Sequence, residues 1–166
     1  MRNEEGFARY VTQAYPGLVR RAVLLTGDRA LAEDLVQVSL ASTYRRWRRV
    51  EHPDAYVRIV MIRTVIGWRA RRWTGEMPTD PLPDQGDPRD PFDDADLSVV
   101  VRRALMTLPA EQRAVIVLRY FDDCSEADIA EVLGCSVGTV KSRAWRAITS
   151  LRTSGLLAEA EEGQIR

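Results

Sequence analysis

Residues 125–146 read SEADIAEVLGCSVGTVKSRAWR, and this stretch decides the fold. Ser125 stands where a helix N-cap accepts a backbone N–H, with Asp128 three positions on as in a capping box. Gly134 stands at the natural left-handed end of that short helix, because it lacks the Cβ that penalises positive φ. Ser136 caps a second helix. Two helices joined by a tight glycine turn form a helix-turn-helix. The motif needs a small residue where the helices approach, and Ala130 supplies it. It also needs an apolar residue planted back from the second helix, which is Val140. The inner face of the second helix is expected to be Val137, Val140, Ala144, Ala147, Ile148 and Leu151. Its outward face then holds Thr139, Lys141, Ser142, Arg143, Trp145 and Arg146. Cations and hydroxyls on such a face reach guanine edges or phosphates in a major groove.

Outward from the motif, helical periodicity continues and strand alternation is missing. Leu97, Val100, Val101, Ala104, Leu105 and Leu108 define a helix beginning near Asp96, and Pro109 opens another to about Phe121. Toward the start of the chain four helices are expected. They run over residues 4–15, from Pro16 to about Leu25, from an Asp28 cap to about Trp47, and from Pro53 to about Arg72. In the third, Leu31, Leu35 and Val38 make one row, and Val36, Leu40, Tyr44 and Trp47 a second. In the fourth, Ala55, Ile59, Ile62, Ile66 and Ala70 are expected on the buried side, and residues 48–53 form a loop before it. The fold class is all-α: two small helical domains, residues 1–73 and 96–155, with an acidic tail over 156–166. The spacer between them, residues 74–95, holds five of the eight prolines and is read as a flexible acidic linker.

The formal net charge of the 166 residues is zero, but the charge is segregated. Residues 44–73 carry a net +7, residues 74–96 a net −7, and residues 136–152 four bases and no acid. Two basic patches around an acidic spacer suit a bipartite polyanion binder. In the first patch Trp47, Tyr56, Trp68 and Trp73 interleave with nine arginines. Rings and guanidiniums together suit unpaired DNA, where bases stack while cations follow the backbone. Arginine outnumbers lysine 23 to 1, so the preference for arginine is chain-wide and carries no message about bidentate contacts.

An enzyme is not expected. His52 is the only histidine, which leaves almost no material for a histidine-based triad or a metal cluster, and no cofactor is implied. Cys124 and Cys135 make no disulfide framework and read as packing around the helix-turn-helix. The chain opens with MRNEEGFARY rather than an apolar signal segment, and no apolar run approaches the roughly 18 residues of a membrane span, so a cytoplasmic protein without membrane insertion is expected.

Two stretches carry a family resemblance: AEDLVQVSLASTYRRW with PDAYVRIVMIRTVIGWRARRWTGEMPT, and LPAEQRAVIVLRYFDDCSEADIAEVLGCSVGTVKSRAWRAITSL. The chain resembles an RNA polymerase sigma factor of the extracytoplasmic-function group, SigE-like subgroup. That resemblance implies a dissociable subunit that directs RNA polymerase to promoter DNA and assists melting. It makes the first domain region two and the second region four. It assigns Asp34, Leu35 and Gln37 to docking on the clamp coiled coil of the largest subunit of core RNA polymerase, although Leu35 reads equally well as core. It assigns the loop with Arg48, Arg49 and His52 to capture of a flipped base of the minus-ten element, and Tyr56, Arg63 and Arg69 to the DNA face of the next helix. Arg119 joins Thr139, Lys141, Ser142, Arg143, Trp145 and Arg146 at the minus-thirty-five element. An anti-sigma factor is a further partner the resemblance allows, though no sequence feature demands one. Val38 stands where many relatives have an acid, and Arg63 where many have asparagine. The competing reading is a free-standing helix-turn-helix regulator that binds an operator without polymerase.

Overall fold

The structure, a computed structural model, describes residues 3–73 and 95–155. The described residues fold into seven α-helices, with no strand among them. The expected tail, and the expected linker up to residue 94, lie outside the described residues. The chain divides into two compact units, Met1–Asp80 and Pro81–Arg166.

The first unit holds α1 (Glu4–Thr26), α2 (Arg29–Arg45) and α3 (Pro53–Trp73). The Asn3 side chain accepts from the Gly6 amide at 3.0 Å, and Gly27 closes α1 at φ 74° with its N–H on the Val23 carbonyl. Two helices were expected here, divided at Pro16; the structure has one, with Pro16 inside it. Proline in a helix interior costs about 3 kcal/mol. Leu18, Val19, Ala22 and Leu25, just beyond it, are all buried on one side. Burial of a single leucine or valine is worth about 1.5–3 kcal/mol, so the packed stripe outweighs the local break.

Asp28 caps α2 as expected, accepting from the Ala30 amide at 2.8 Å. The helix buries Ala32, Leu35, Val36, Ser39, Leu40 and Thr43. The two buried hydroxyls donate to carbonyls one turn back, Ser39 to Leu35 at 2.7 Å and Thr43 to Ser39 at 2.8 Å. This stripe turns Val38 outward, against the row expected for it; it is 47% exposed. α3 buries Val57, Met61, Ile62 and Val65. Of the row expected for it, only Ile62 is fully buried and Ala70 is exposed. Apolar residues occupy both rows of α3, so periodicity alone does not choose between them; packing on α1 and α2 does.

The second unit holds α4 (Ala95–Met106), α5 (Ala110–Ile116), α6 (Glu126–Leu133) and α7 (Val137–Thr153). α5 runs on as a wider π turn over Val117–Phe121, where the Asp122 amide reaches the Val117 carbonyl. Arg113 is 95% buried, yet its charge is not orphaned. It donates from Nε to the Leu105 carbonyl at 2.9 Å, which also accepts the Leu108 amide at 3.1 Å, and from Nη2 to the Leu108 carbonyl at 2.8 Å, so the buried guanidinium is held by main-chain oxygens after α4. α5 and α6 both pack on α7 around Val115, Leu118, Ile129 and Val140.

Candidate nucleic-acid interface

The local chemistry of residues 125–146 is as expected. Ser125 accepts from the Asp128 amide at 3.1 Å, and Ser136 from the Thr139 amide at 3.1 Å. Gly134 has φ 65° and ψ 38°, and a Cβ there would meet nothing within 4 Å. Glycine is needed for the backbone angle, not for space. The Cys135 amide continues the turn onto the Ala130 carbonyl at 3.0 Å. Val140, Ala144, Ala147 and Leu151 hold α7 against its neighbours. Val137, expected on the inner face, is 39% exposed: in the first turn it lies past the edge of the packed surface.

With that face committed, α7 turns Lys141, Ser142, Trp145 and Arg146 outward, while Thr139 and Arg143 are half-buried along one edge. Trp145 is 68% exposed, the largest exposure among the big apolar side chains described. The first turn of α7 carries no acid, so its positive end is not neutralised from within the helix. Thr139 Oγ1 lies 3.0 Å from Ser136 Oγ, Ser142 donates to the Gly138 carbonyl at 3.0 Å, and Arg143 Nη1 lies 3.8 Å from Cys135 Sγ. Those contacts hold side chains along the edge while Trp145 and Arg146 project. Arg119, from the turn after α5, joins this surface through Glu126: Arg119 Nη1 lies 3.5 Å from Oε1 and Lys141 Nζ 3.7 Å from Oε2. Sequence reasoning gave Glu126 no role. Its local signal is only a carboxylate at the first position of α6, and both partners lie on other elements of the chain.

In the first unit a short 3₁₀ turn, Trp47–Arg49, folds the tryptophan inward and leaves Arg48 and Arg49 outside. Trp47 packs edge-on against Phe7 at 5.2 Å and at a shallow tilt against Tyr10 at 5.5 Å. At 6% exposure it has no ring face to offer a base, which corrects its place among the stacking aromatics. An open groove of about 1000 Å³ lies between the start of α1 and residues 44–49, with Glu4 and Glu5 on one side and Arg45, Arg46, Arg48 and Arg49 on the other. Tyr44 lines it, donating to Glu4 at 3.0 Å, a bond that raises the phenol above its ordinary pKa. Tyr10 is raised further, by burial first and then by its hydrogen bond to Asp54.

His52 and Arg63 are exposed and Tyr56 is half-buried. Tyr56 and Arg63, two turns apart, share a face of α3. Arg69 lies about 120° round the helix from Arg63 and about 140° from Tyr56, so the structure does not bring it together with them. On α2, Asp34 and Gln37 are exposed beside Val38. Leu35 is fully buried. Its expected docking contact is therefore corrected to a core role, while Val38 and Tyr44 are the large apolar side chains that α2 exposes.

A two-unit helical protein whose second unit is a helix-turn-helix with a cationic, tryptophan-bearing face is a DNA-binding design. Residues 98–151 match the family described as Sigma-70, region 4. The chain is 40% identical over 153 residues to the RNA polymerase sigma-E factor of Streptomyces coelicolor, spanning 88% of this chain and 84% of that relative. It is 36% identical over 149 residues to the ECF RNA polymerase sigma factor SigL of Mycobacterium tuberculosis, spanning 81% and 80%. Among solved structures it is similar to the sigma factor RpoE in complex with the anti-sigma factor NepR from Bartonella quintana. That match has a TM-score of 0.68 and 25% identity, covering 92% of this chain and 96% of that one. The chain belongs to the extracytoplasmic-function RNA polymerase sigma factors.

Proposed function

We propose that this chain is a dissociable promoter-specificity subunit of bacterial RNA polymerase that binds a minus-thirty-five element with α7 and captures the unpaired minus-ten strand with its first unit. The observation that carries the reading is the outward face of α7, with Lys141, Trp145 and Arg146 exposed on a helix locked by two caps and a left-handed glycine. Arg48, Arg49, His52, Tyr56 and Arg63 are assigned to the opened strand, and Asp34 and Gln37 with Val38 to docking on the clamp coiled coil. Residues 1–73 act as region two, 74–95 as the connector and 96–155 as region four. Bond-making belongs to the core enzyme; the subunit works in the cytoplasm by binding alone. The solved relative is held by an anti-sigma factor, and we assign a regulator of that kind to this chain as well.

Capture of the unpaired strand lowers the free energy of melting because binding to the opened state alone shifts the equilibrium toward it. A mobility shift tests the reading against a stand-alone regulator. The lone chain is expected to bind duplex weakly and promoter duplex specifically only with core polymerase. Tight operator binding by the chain alone contradicts it.

A further inference from the structure

We propose that Glu126 is a specificity-determining residue: it holds Arg119 and Lys141 away from non-specific phosphate contact, so that only a well-matched site releases them. The inference rests on the reading of α7 as a DNA-facing helix. Each oxygen of the carboxylate takes one cation, Oε1 facing Arg119 Nη1 at 3.5 Å and Oε2 facing Lys141 Nζ at 3.7 Å. Arg119 comes from the turn that ends α5 and Lys141 from α7, so Glu126 joins two elements of the surface that meets DNA.

The fold does not need these pairs. Ser125 already caps α6, and Ile129, Ala130 and Val140 pack it on α7. The side chains are 38%, 31% and 65% exposed for Arg119, Glu126 and Lys141. Half-exposed pairs at this range contribute little to stability. Both separations exceed the roughly 2.7–2.9 Å of a tight charge-assisted bond, so a phosphate oxygen competes for either cation on good terms. Two cations share one anion, and the local charge seen by a DNA backbone is halved.

Non-specific binding depends almost wholly on phosphate neutralisation and counterion release. A carboxylate that occupies the cations weakens it directly. At a matched site the remaining contacts of α7 keep the helix seated, and the cations can exchange Glu126 for phosphate. Glu126 is then a repulsive element that sets discrimination.

The test uses the full-length chain, titrated into non-promoter duplex across a salt series, and its holoenzyme on promoter and random duplexes. Glu126→Gln is expected to tighten non-promoter binding several-fold at low salt. It should steepen the slope of log K against log salt by about one to two, and lower the promoter-to-random ratio of the holoenzyme by the same factor. In a background of Arg119→Ala with Lys141→Ala the gain should vanish. An unchanged slope, or a gain that persists without the two cations, overturns the proposal, as does a fall in Tm with no change in binding. Arg146→Ala, outside the trio, separates the two failures. If it leaves duplex binding unaltered, the DNA-facing reading of α7 falls. If it weakens binding while Glu126→Gln does nothing, Glu126 alone loses its role.

Discussion

The Tyr10 hydroxyl donates a 2.9 Å hydrogen bond to the Asp54 carboxylate, tying α1 to the first turn of α3. Burial and the acid both hold the phenol protonated beyond its ordinary value of about 10. In the unfolded chain Tyr10 ionises near that ordinary value, while the folded chain keeps its proton. The folded state thus binds more protons above about pH 10, and stability falls as pH rises there. Below that pH the contribution is fully present. Urea midpoints at about pH 9 and about pH 11 should show a drop that Tyr10→Phe reduces. An identical drop in the variant contradicts the assignment.

Leu35 and Asp34 are neighbours in sequence with opposite fates, and their variants should separate folding from assembly. Leu35→Ala leaves a cavity in the first unit and should cost about 2–5 kcal/mol, read by chemical denaturation. Asp34→Arg changes an exposed residue and should shift stability by no more than about 0.5 kcal/mol. It should nevertheless weaken association with core polymerase in a pull-down.

Gly134 and Gly67 both face empty space where a Cβ would sit, yet alanine should act in opposite directions. At Gly134, with φ 65°, alanine meets the left-handed penalty and should destabilise the second unit by about 1–2 kcal/mol. At Gly67, inside α3, it should stabilise the first unit by about 0.5–1 kcal/mol. Thermal unfolding of the two variants checks the pair of signs.

Arg146→Ala should weaken promoter binding by the holoenzyme by about 1–3 kcal/mol if the guanidinium contacts a base edge. A phosphate contact would instead lower affinity for all duplexes alike and flatten the salt slope by about one. Footprinting with matched and mutated minus-thirty-five elements distinguishes these, and no loss on any duplex contradicts a DNA role.

The helix-turn-helix was legible because each of its signals is local. Ser125, Gly134 and Ser136 act on their own backbone neighbours, and Val140 falls on the only apolar stripe of its helix. The first unit was less legible. Both apolar rows of α3 satisfy helical spacing, and only the packing of α1 and α2 chooses the one through Val57 and Met61. Pro16 reads as a helix start, but burial around Leu18 and Leu25 overrides it. Trp47 reads as a stacking residue beside arginines until the 3₁₀ turn folds it under Phe7. The Glu126 pairs join residues 119, 126 and 141, a long-range placement that spacing along one helix does not report.

Run-off transcription with purified core polymerase on a genomic fragment library tests the central claim most directly. Adding this chain should produce transcripts from a small set of discrete starts that share spaced upstream elements, and core polymerase alone should not produce them. An identical transcript set with and without the chain would contradict the account.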